Sequence, residues 1–157
     1  MTERSVTHAT FVIERTYDAS PARVFAAFAD PAIKRRWFAE GEGWEIEEFN
    51  ADFRVGGSER SRFRFRGGEL IRNDTIYQDI VPDQRIIITY SMMIGDNRIS
   101  VSLTTMEFKP AGSGTRLVFT EQGAFLDGYD DPAGREHGTG ALLDNLGAML
   151  KRESARA

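Results

Sequence analysis

Glu121 is the residue whose type and position point most directly to chemistry. Leu117 and Phe119 precede it at alternate positions, while Arg116, Thr120 and Gln122 have the opposite parity. Because alternate side chains of a β-strand face the same side, this pattern predicts that the Glu121 carboxylate points into the interior. A buried carboxylate is unfavourable alone, so it pairs with a cation of the protein or awaits one on a ligand. The alternative is a twist or bulge near Gly123 that leaves Glu121 solvated at the rim.

Arg135 and Thr139 are the predicted partners of this carboxylate. Helical projection places both on the same stripe as Leu142 and Leu146, one or two turns earlier in the chain. Arg135 is thus placed to pair with Glu121 or to hold the anion of a ligand. A helix that begins later than Pro132 would instead leave Arg135 in a solvated loop.

His137 and the acidic loop at 127–131 have residue types that bind metals or move protons, but their spacing predicts neither. His137 projects away from the apolar stripe of its helix, which favours a surface position. The loop lacks the Asp-x-Asp-x-Asp-Gly spacing of an EF-hand. The chain has no cysteine and only two histidines, which excludes structural zinc and iron–sulfur sites. No metal and no cofactor is therefore expected.

Arginine occupies every second position of the segment 60–66 and could form an anion-binding stripe. Glu45 and Glu47 lie on the polar face of the predicted neighbouring strand. Because opposite charges pair across neighbouring strands, these carboxylates explain the arginines without an external partner.

Composition narrows the classes of function. The 157 residues suit one domain, 1–157. A net charge of −4 argues against a dedicated nucleic-acid binder. No apolar run is long enough to span a membrane, and the N-terminus has no stretch that could serve as a signal peptide, so a cytoplasmic location is expected. Either a monomer or a homodimer is expected.

The spacing of the hydrophobic residues changes between strand-like and helix-like repeats along the chain, and this order predicts an α+β fold. Residues 9–17 are typical of a strand, and Ser20-Pro21 and Asp30-Pro31 are each an N-cap followed by proline, which predicts two short helices. Apolar and polar residues alternate between turn residues from 43 to 123, which predicts an antiparallel sheet. Residues 132–152 return to helical spacing, with Leu142, Leu146 and Met149 on one stripe packed against the sheet.

This order of elements and several local strings resemble the START-like (SRPBCC) superfamily, and within it the family related to the C-terminal domain of the activator of heat-shock-protein-90 ATPase. The resemblance covers about residues 9–152. Its strings are Ala19-Ser20-Pro21, Arg36-Trp37-Phe38, Phe53-Arg54-Val55-Gly56-Gly57, Ile80-Val81-Pro82-Asp83-Gln84-Arg85-Ile86, Gly114-Thr115-Arg116-Leu117 and Thr120-Glu121-Gln122-Gly123, followed by the closing Leu142, Leu146 and Leu150 helix.

The resemblance implies a helix-grip fold, in which a curved antiparallel sheet of about seven strands surrounds a long C-terminal helix. It also implies a cavity between sheet and helix that opens near the helix N-terminus. Superfamily members bind lipids, polyketides, hormones or aromatic compounds, and some catalyse cyclisation or hydrolysis. Many members carry a histidine where this chain has Glu121, and a tryptophan where Gly140 is followed by Ala141. The resemblance therefore implies no particular substrate.

We expect this chain to bind a small hydrophobic or aromatic molecule in that cavity. The predicted ligand-binding residues are Trp37, Phe65, Tyr90, Phe119, Glu121, Arg135, Thr139 and Leu142. An alternative is a small-molecule cyclase or hydrolase that uses Glu121 as a general base or acid. A co-chaperone that stimulates a chaperone ATPase is the third hypothesis. It ranks last because the chaperone-stimulating relatives carry a further N-terminal domain, whereas this chain is expected to begin directly at its first strand.

Overall fold

The computed structural model describes residues 3–155 of the chain. Seven strands and three helices follow one another in the predicted order, and the last helix continues three residues beyond the predicted end. The elements are β1 (Val6–Tyr17), α1 (Pro21–Ala29), α2 (Pro31–Phe38), β2 (Trp44–Ala51), β3 (Ser58–Phe65), β4 (Ile71–Val81), β5 (Arg85–Ile94), β6 (Asn97–Ala111), β7 (Gly114–Leu126) and α3 (Pro132–Ala155).

The two short helices are bounded by the residues that the sequence singles out. The Ser20 hydroxyl accepts a hydrogen bond from the Arg23 backbone N–H at 3.2 Å and caps α1. Asp30 has two roles, because its backbone N–H closes α1 on the Ala26 carbonyl and its carboxylate caps α2 by accepting from the Ala32 N–H at 2.9 Å. One residue therefore ends the first helix and starts the second, which fixes the angle between them.

The seven strands form one antiparallel sheet in the order β1-β7-β6-β5-β4-β3-β2. Strands β2 to β7 are a meander in which every neighbour in space is a neighbour in sequence. The first strand is different, because it pairs along its whole length with the last, from Val6 opposite Leu126 to Tyr17 opposite Thr115. Strands β1 and β2 are thus the two edges of the sheet, which wraps α3 in the helix-grip arrangement.

The C-terminal half of α3 packs into the hydrophobic core. Leu143, Leu146, Met149 and Leu150 are at most 5% exposed. The hydroxyl of Tyr17 donates a hydrogen bond of 2.7 Å to the Leu143 carbonyl and ties the helix to β1. The predicted docking of this helix through Leu146 and Met149 is confirmed. The predicted inward residue Leu142 is only partly buried and packs at the margin of the core. The N-terminal half of α3 is therefore packed less closely against the core than the C-terminal half.

The arginine stripe of β3 is explained by ion pairs, as the sequence predicts, with one shift of partner. Arg64 lies 2.8 Å from Glu47 and Arg62 lies 2.8 Å from Asp74. The register of β2 against β3 shifts between Ile46 and Glu48. The bulge brings Glu48 opposite Arg62, so the pairing carboxylates of β2 are Glu47 and Glu48, and Asp74 of β4 is a partner that the sequence did not predict. The predicted contribution of Glu45 is wrong: it lies opposite Arg64 in register, but Arg64 pairs with Glu47, and Glu45 is absent from the ion pairs of the described residues.

Within residues 3–155, no helix is both long and apolar enough to cross a bilayer. The same range holds no group of three or more His, Cys, Asp or Glu side chains arranged to bind a metal ion.

Candidate functional site

A cavity of about 660 Å³ lies between the concave face of the sheet and the N-terminal half of α3. Its wall includes inward-facing side chains of β3 to β7, and its other side is formed by α2 and the helix residues from Gly134 to Leu143. Glu40, Gly41 and Glu42 of the segment between α2 and β2 also border it and are exposed to solvent. The mouth therefore lies between this segment and the start of α3.

Glu121 is the most deeply buried charged residue on the wall, at 1% exposure. Its Oε2 atom accepts hydrogen bonds from the Tyr90 hydroxyl at 2.9 Å and from the Ser102 hydroxyl at 3.1 Å. Among residues 3–155, its Oε1 atom accepts from the Thr104 hydroxyl alone, at 3.4 Å. The two carboxylate oxygens thus differ, because one is fully engaged and the other has a single long hydrogen bond.

Arg135 reaches Glu121 from α3 and holds four acceptors with its two terminal nitrogens. Nη1 donates to the Tyr90 hydroxyl at 2.9 Å and to Glu121 Oε2 at 3.3 Å. Nη2 donates to the Ser100 hydroxyl at 2.8 Å and to Asp130 Oδ2 at 2.7 Å. The guanidinium also stacks 5.2 Å from the centre of the Phe125 ring. One cation is therefore shared by two carboxylates.

The electrostatics of this cluster keep two of its members, Arg135 and Tyr90, in defined protonation states. Burial disfavours the charge of Arg135, but Tyr90, Glu121 and Asp130 outweigh burial, so the pKa of Arg135 is raised above its ordinary value. Burial, reinforced by the Glu121 carboxylate, raises the pKa of the Tyr90 hydroxyl. Tyr90 is therefore a neutral hydrogen-bond donor, and Arg135 is a permanent cation.

A second polar cluster lies on the far side of the cavity, and the sequence analysis missed it. Lys34 Nζ of α2 lies 2.9 Å from both carboxylate oxygens of Glu59 on β3, and the Tyr77 hydroxyl donates to the same carboxylate at 2.7 Å. Lys34 is 8% exposed and Glu59 is 3% exposed. Glu59 has the same strand parity as Phe63, so the argument that found Glu121 could have found this carboxylate too.

The two clusters are joined by a polar belt, which we define as Glu59, Thr75, Tyr90 and Ser102. These residues face one another in register on the neighbouring strands β3, β4, β5 and β6, and Ser102 contacts Glu121 of β7. Three strand spacings amount to about 14 Å. Glu59, Thr75 and Tyr90 line the cavity, with apolar side chains such as Ile88 and Met92 on either side, while Ser102 supports Glu121 from outside the lining.

The structure brings together all but one of the predicted site residues. Those that line the cavity are Trp37, Tyr90, Phe119, Glu121, Arg135, Thr139 and Leu142. The alternative of a solvated Glu121 is wrong, and so is that of a late helix start, because α3 begins at Pro132 and Arg135 lies within it. His137 is exposed, as predicted.

Phe65 is the predicted site residue that does not reach the cavity. It is 44% exposed and is the last residue of β3. Phe65 lies on the same face of the strand as Phe63, as expected, but it is not among the residues that line the cavity. Its ring packs against Trp44, with the two ring centres 5.0 Å apart.

Residues 18–151 match the sequence profile of a family described as activator of Hsp90 ATPase homolog 1-like protein. The chain belongs to this family. No curated protein matches it in sequence. The family relation predicted from the sequence is confirmed by this match. The solved structures that it resembles include one from Aeromonas hydrophila described as AHSA1-like, at 19% identity and a TM-score of 0.71, with 93% of this chain and 94% of that chain covered.

Two solved structures are more similar in sequence. The Mll3558 protein from Rhizobium loti is 58% identical, with a TM-score of 0.86 over 92% of this chain and 98% of that chain. A protein from Rhizobium leguminosarum is 49% identical, with a TM-score of 0.92 over 96% and 99% of the two chains. The chain is thus similar to these relatives over almost the full length of each.

Proposed function

We propose that this protein binds a small hydrophobic or aromatic molecule inside the cavity between the sheet and α3. The observation that carries the proposal is the cavity itself, about 660 Å³ in volume. Small-molecule sites have volumes of roughly 300–1,000 Å³ and combine mostly apolar walls with a few fixed polar groups. Trp37, Phe119 and Leu142 supply apolar wall, while Glu121 and Arg135 supply fixed polar groups.

The rigidity of the polar groups supports binding in a defined orientation. Tyr90, Ser100, Ser102 and Thr104 all donate to or accept from the Glu121–Arg135 pair. A ligand group placed against side chains that are already held loses little further side-chain entropy. The polar belt is therefore suited to orient one edge of an elongated molecule.

The same hydrogen bonds favour binding over the catalytic alternative. A general base must accept a proton from the substrate in the transition state. Glu121 Oε2 already accepts from Tyr90, Ser102 and Arg135. Tyr90 and Arg135 keep their protons, because the pKa of each is raised above its ordinary value, so neither can complete a proton transfer begun by Glu121. We therefore place ligand binding ahead of a cyclase or hydrolase reaction.

A fluorescence titration tests the proposal. N-phenylnaphthylamine is a neutral dye whose emission rises on transfer from water to an apolar site, and we expect saturable enhancement with the wild-type protein. Thr139→Phe places a ring in the cavity from its α3 side and is expected to weaken dye binding at least about tenfold. Ala141→Phe adds the same ring at an exposed position of the same helix and serves as the control.

Thermal unfolding of both variants shows that they are folded before their affinities are compared. Equal dye affinity in the two variants, or no saturable binding to the wild-type protein, would contradict the assignment of the cavity as the binding site.

A further inference from the structure

We infer that the cavity selects a positively charged ligand, a hydrophobic or aromatic molecule that carries a protonated amine. The inference rests on the proposed function and adds the charge of the ligand to it. Three observations carry it: the charge balance of the lining, the engagement of both terminal nitrogens of Arg135 and the spare acceptor capacity of Glu121.

The charged residues that line the cavity comprise five carboxylates and two cations. Lys34 compensates Glu59 within the cavity, and Arg35 compensates Glu40 from outside it. Arg135 is left to compensate both Glu121 and Asp130. Glu42, at the mouth, has no ion pair among the described residues. The five carboxylates therefore face three cations, Lys34, Arg35 and Arg135, which leaves an excess of two negative charges. The uncompensated charge at Glu121 and Asp130 lies inside the cavity, where it is unfavourable, so a further cation is stabilised there.

Arg135 offers no bidentate site for an anionic ligand, although a cavity arginine would ordinarily suggest one. Both of its terminal nitrogens are engaged, Nη1 by Tyr90 and Glu121 and Nη2 by Ser100 and Asp130. These contacts use four of the five N–H groups of the guanidinium, so the bidentate approach of a carboxylate to Nη1 and Nη2 is blocked. A ligand carboxylate would have to displace one of these carboxylates and would then lie beside the other. Like charges at such distances repel, and burial strengthens the repulsion. The geometry therefore disfavours acids.

Glu121 Oε1 supplies the acceptor for the ligand's amine. A carboxylate oxygen accepts about two hydrogen bonds, and this one accepts a single contact, 3.4 Å long, from Thr104. Its residue is 1% exposed and lines the cavity. An ammonium group from a ligand would add a charge-assisted hydrogen bond at this oxygen without displacing Tyr90, Ser102 or Arg135 from Oε2.

Three compounds on one scaffold test the inference with the wild-type protein alone. Naphthylethylamine, naphthylethanol and naphthylacetate have similar size and differ in charge, because at about pH 7 the amine is protonated and the acid is ionised. Their dissociation constants follow from displacement of N-phenylnaphthylamine and from calorimetry. We expect the amine to bind at least about tenfold tighter than the alcohol, and the acid to bind more weakly than the alcohol. An alcohol or acid that binds as tightly as the amine would overturn the inference.

Two variants assign the preference to the cavity. Glu121→Gln keeps the shape and removes the charge, so the ratio of amine to alcohol affinity should fall to about one. Asp130→Asn removes a carboxylate whose side chain is 25% exposed, and it should reduce the same ratio several-fold even if Glu121→Gln does not fold. Glu45→Gln removes an equal charge at an exposed position outside the cavity lining and should leave the ratio unchanged.

The outcomes separate the two proposals. If Glu121→Gln folds and keeps the amine preference, the charge assignment is overturned and ligand binding stays in place. If Glu121→Gln does not fold, an unchanged ratio of amine to alcohol affinity in Asp130→Asn has the same meaning. If neither the dye nor any of the three naphthyl compounds binds the wild-type protein, ligand binding is refuted and the charge preference falls with it.

Discussion

Replacing Lys34 by methionine removes the cation that faces Glu59 and leaves a carboxylate buried at 3% exposure. The Lys34 Nζ atom lies 2.9 Å from both carboxylate oxygens, and at an effective dielectric constant of about 20 such a contact corresponds to roughly 6 kcal/mol of Coulomb energy. The remaining partner is the Tyr77 hydroxyl at 2.7 Å. Since one hydrogen bond cannot replace a counter-ion, Lys34→Met should lower the free energy of unfolding by about 3–5 kcal/mol.

The double-mutant cycle isolates the interaction between the two residues. Glu59→Gln leaves the Lys34 ammonium without its counter-ion and should also cost about 3–5 kcal/mol. The double variant has no unpaired charge, so its loss should be smaller than the sum of the two single losses by about 2 kcal/mol or more. Urea unfolding followed by far-ultraviolet circular dichroism measures all four proteins.

An exposed pair of the same length provides the control. Arg116 and Glu14 lie 2.8 Å apart with side chains 45% and 54% exposed, and their coupling should stay below about 1 kcal/mol. The two pairs differ in burial rather than in distance. A coupling for Lys34 and Glu59 no larger than that of the control, or single losses below about 1 kcal/mol, would refute the argument that burial makes this pair structurally essential.

Three further perturbations test the core, the buried tyrosines and the absence of a metal. Leu146→Ala should lower the free energy of unfolding by about 2–5 kcal/mol, because Leu146 is fully buried; the same change at Leu103, which is 38% exposed, should cost much less. Burial raises the pKa values of three tyrosines, Tyr17, Tyr77 and Tyr90. The unfolded state therefore binds fewer protons than the native state above about pH 10, and stability should fall there by about 1.4 kcal/mol per pH unit for each tyrosine. Tyr77→Phe should remove about one third of that slope in urea unfolding measured across this range, and an unchanged slope would contradict the assignment. Dialysis against a chelator should leave the melting temperature unchanged, and a drop restored by one divalent ion would show that a metal is involved.

The elements of the fold were predictable because their signals are local. Ser20 and Asp30 cap the helices through contacts two or three residues away, and the change to helical spacing after Pro132 marks α3 directly. Glu121 could be placed inward because its immediate neighbours Leu117 and Phe119 define its parity. Each of these inferences needs only a short stretch of chain.

The remainder of the site depends on contacts that no local pattern contains. Lys34 and Glu59 lie 25 positions apart on a helix and a strand, so neither residue's own segment indicates the other. The bulge between Ile46 and Glu48 shifts the ion pairs of β3 by a residue, although the alternation of charges looks regular. Phe65 has the correct parity and still lies outside the cavity. Parity determines which face of the strand a side chain occupies, but not whether that part of the strand borders the cavity.

The order of strands also has a consequence for how the chain folds. Every pairing from β2 to β7 joins neighbours in sequence, whereas β1 pairs with a strand that begins about a hundred residues later. Closing so long a loop costs entropy before any contact is gained, and non-local pairing slows folding. We therefore expect the meander to form first and β1 to dock last, carrying Phe11, Ile13 and Tyr17 onto the core. Substitutions in β1 should then accelerate unfolding and leave the refolding rate nearly unchanged.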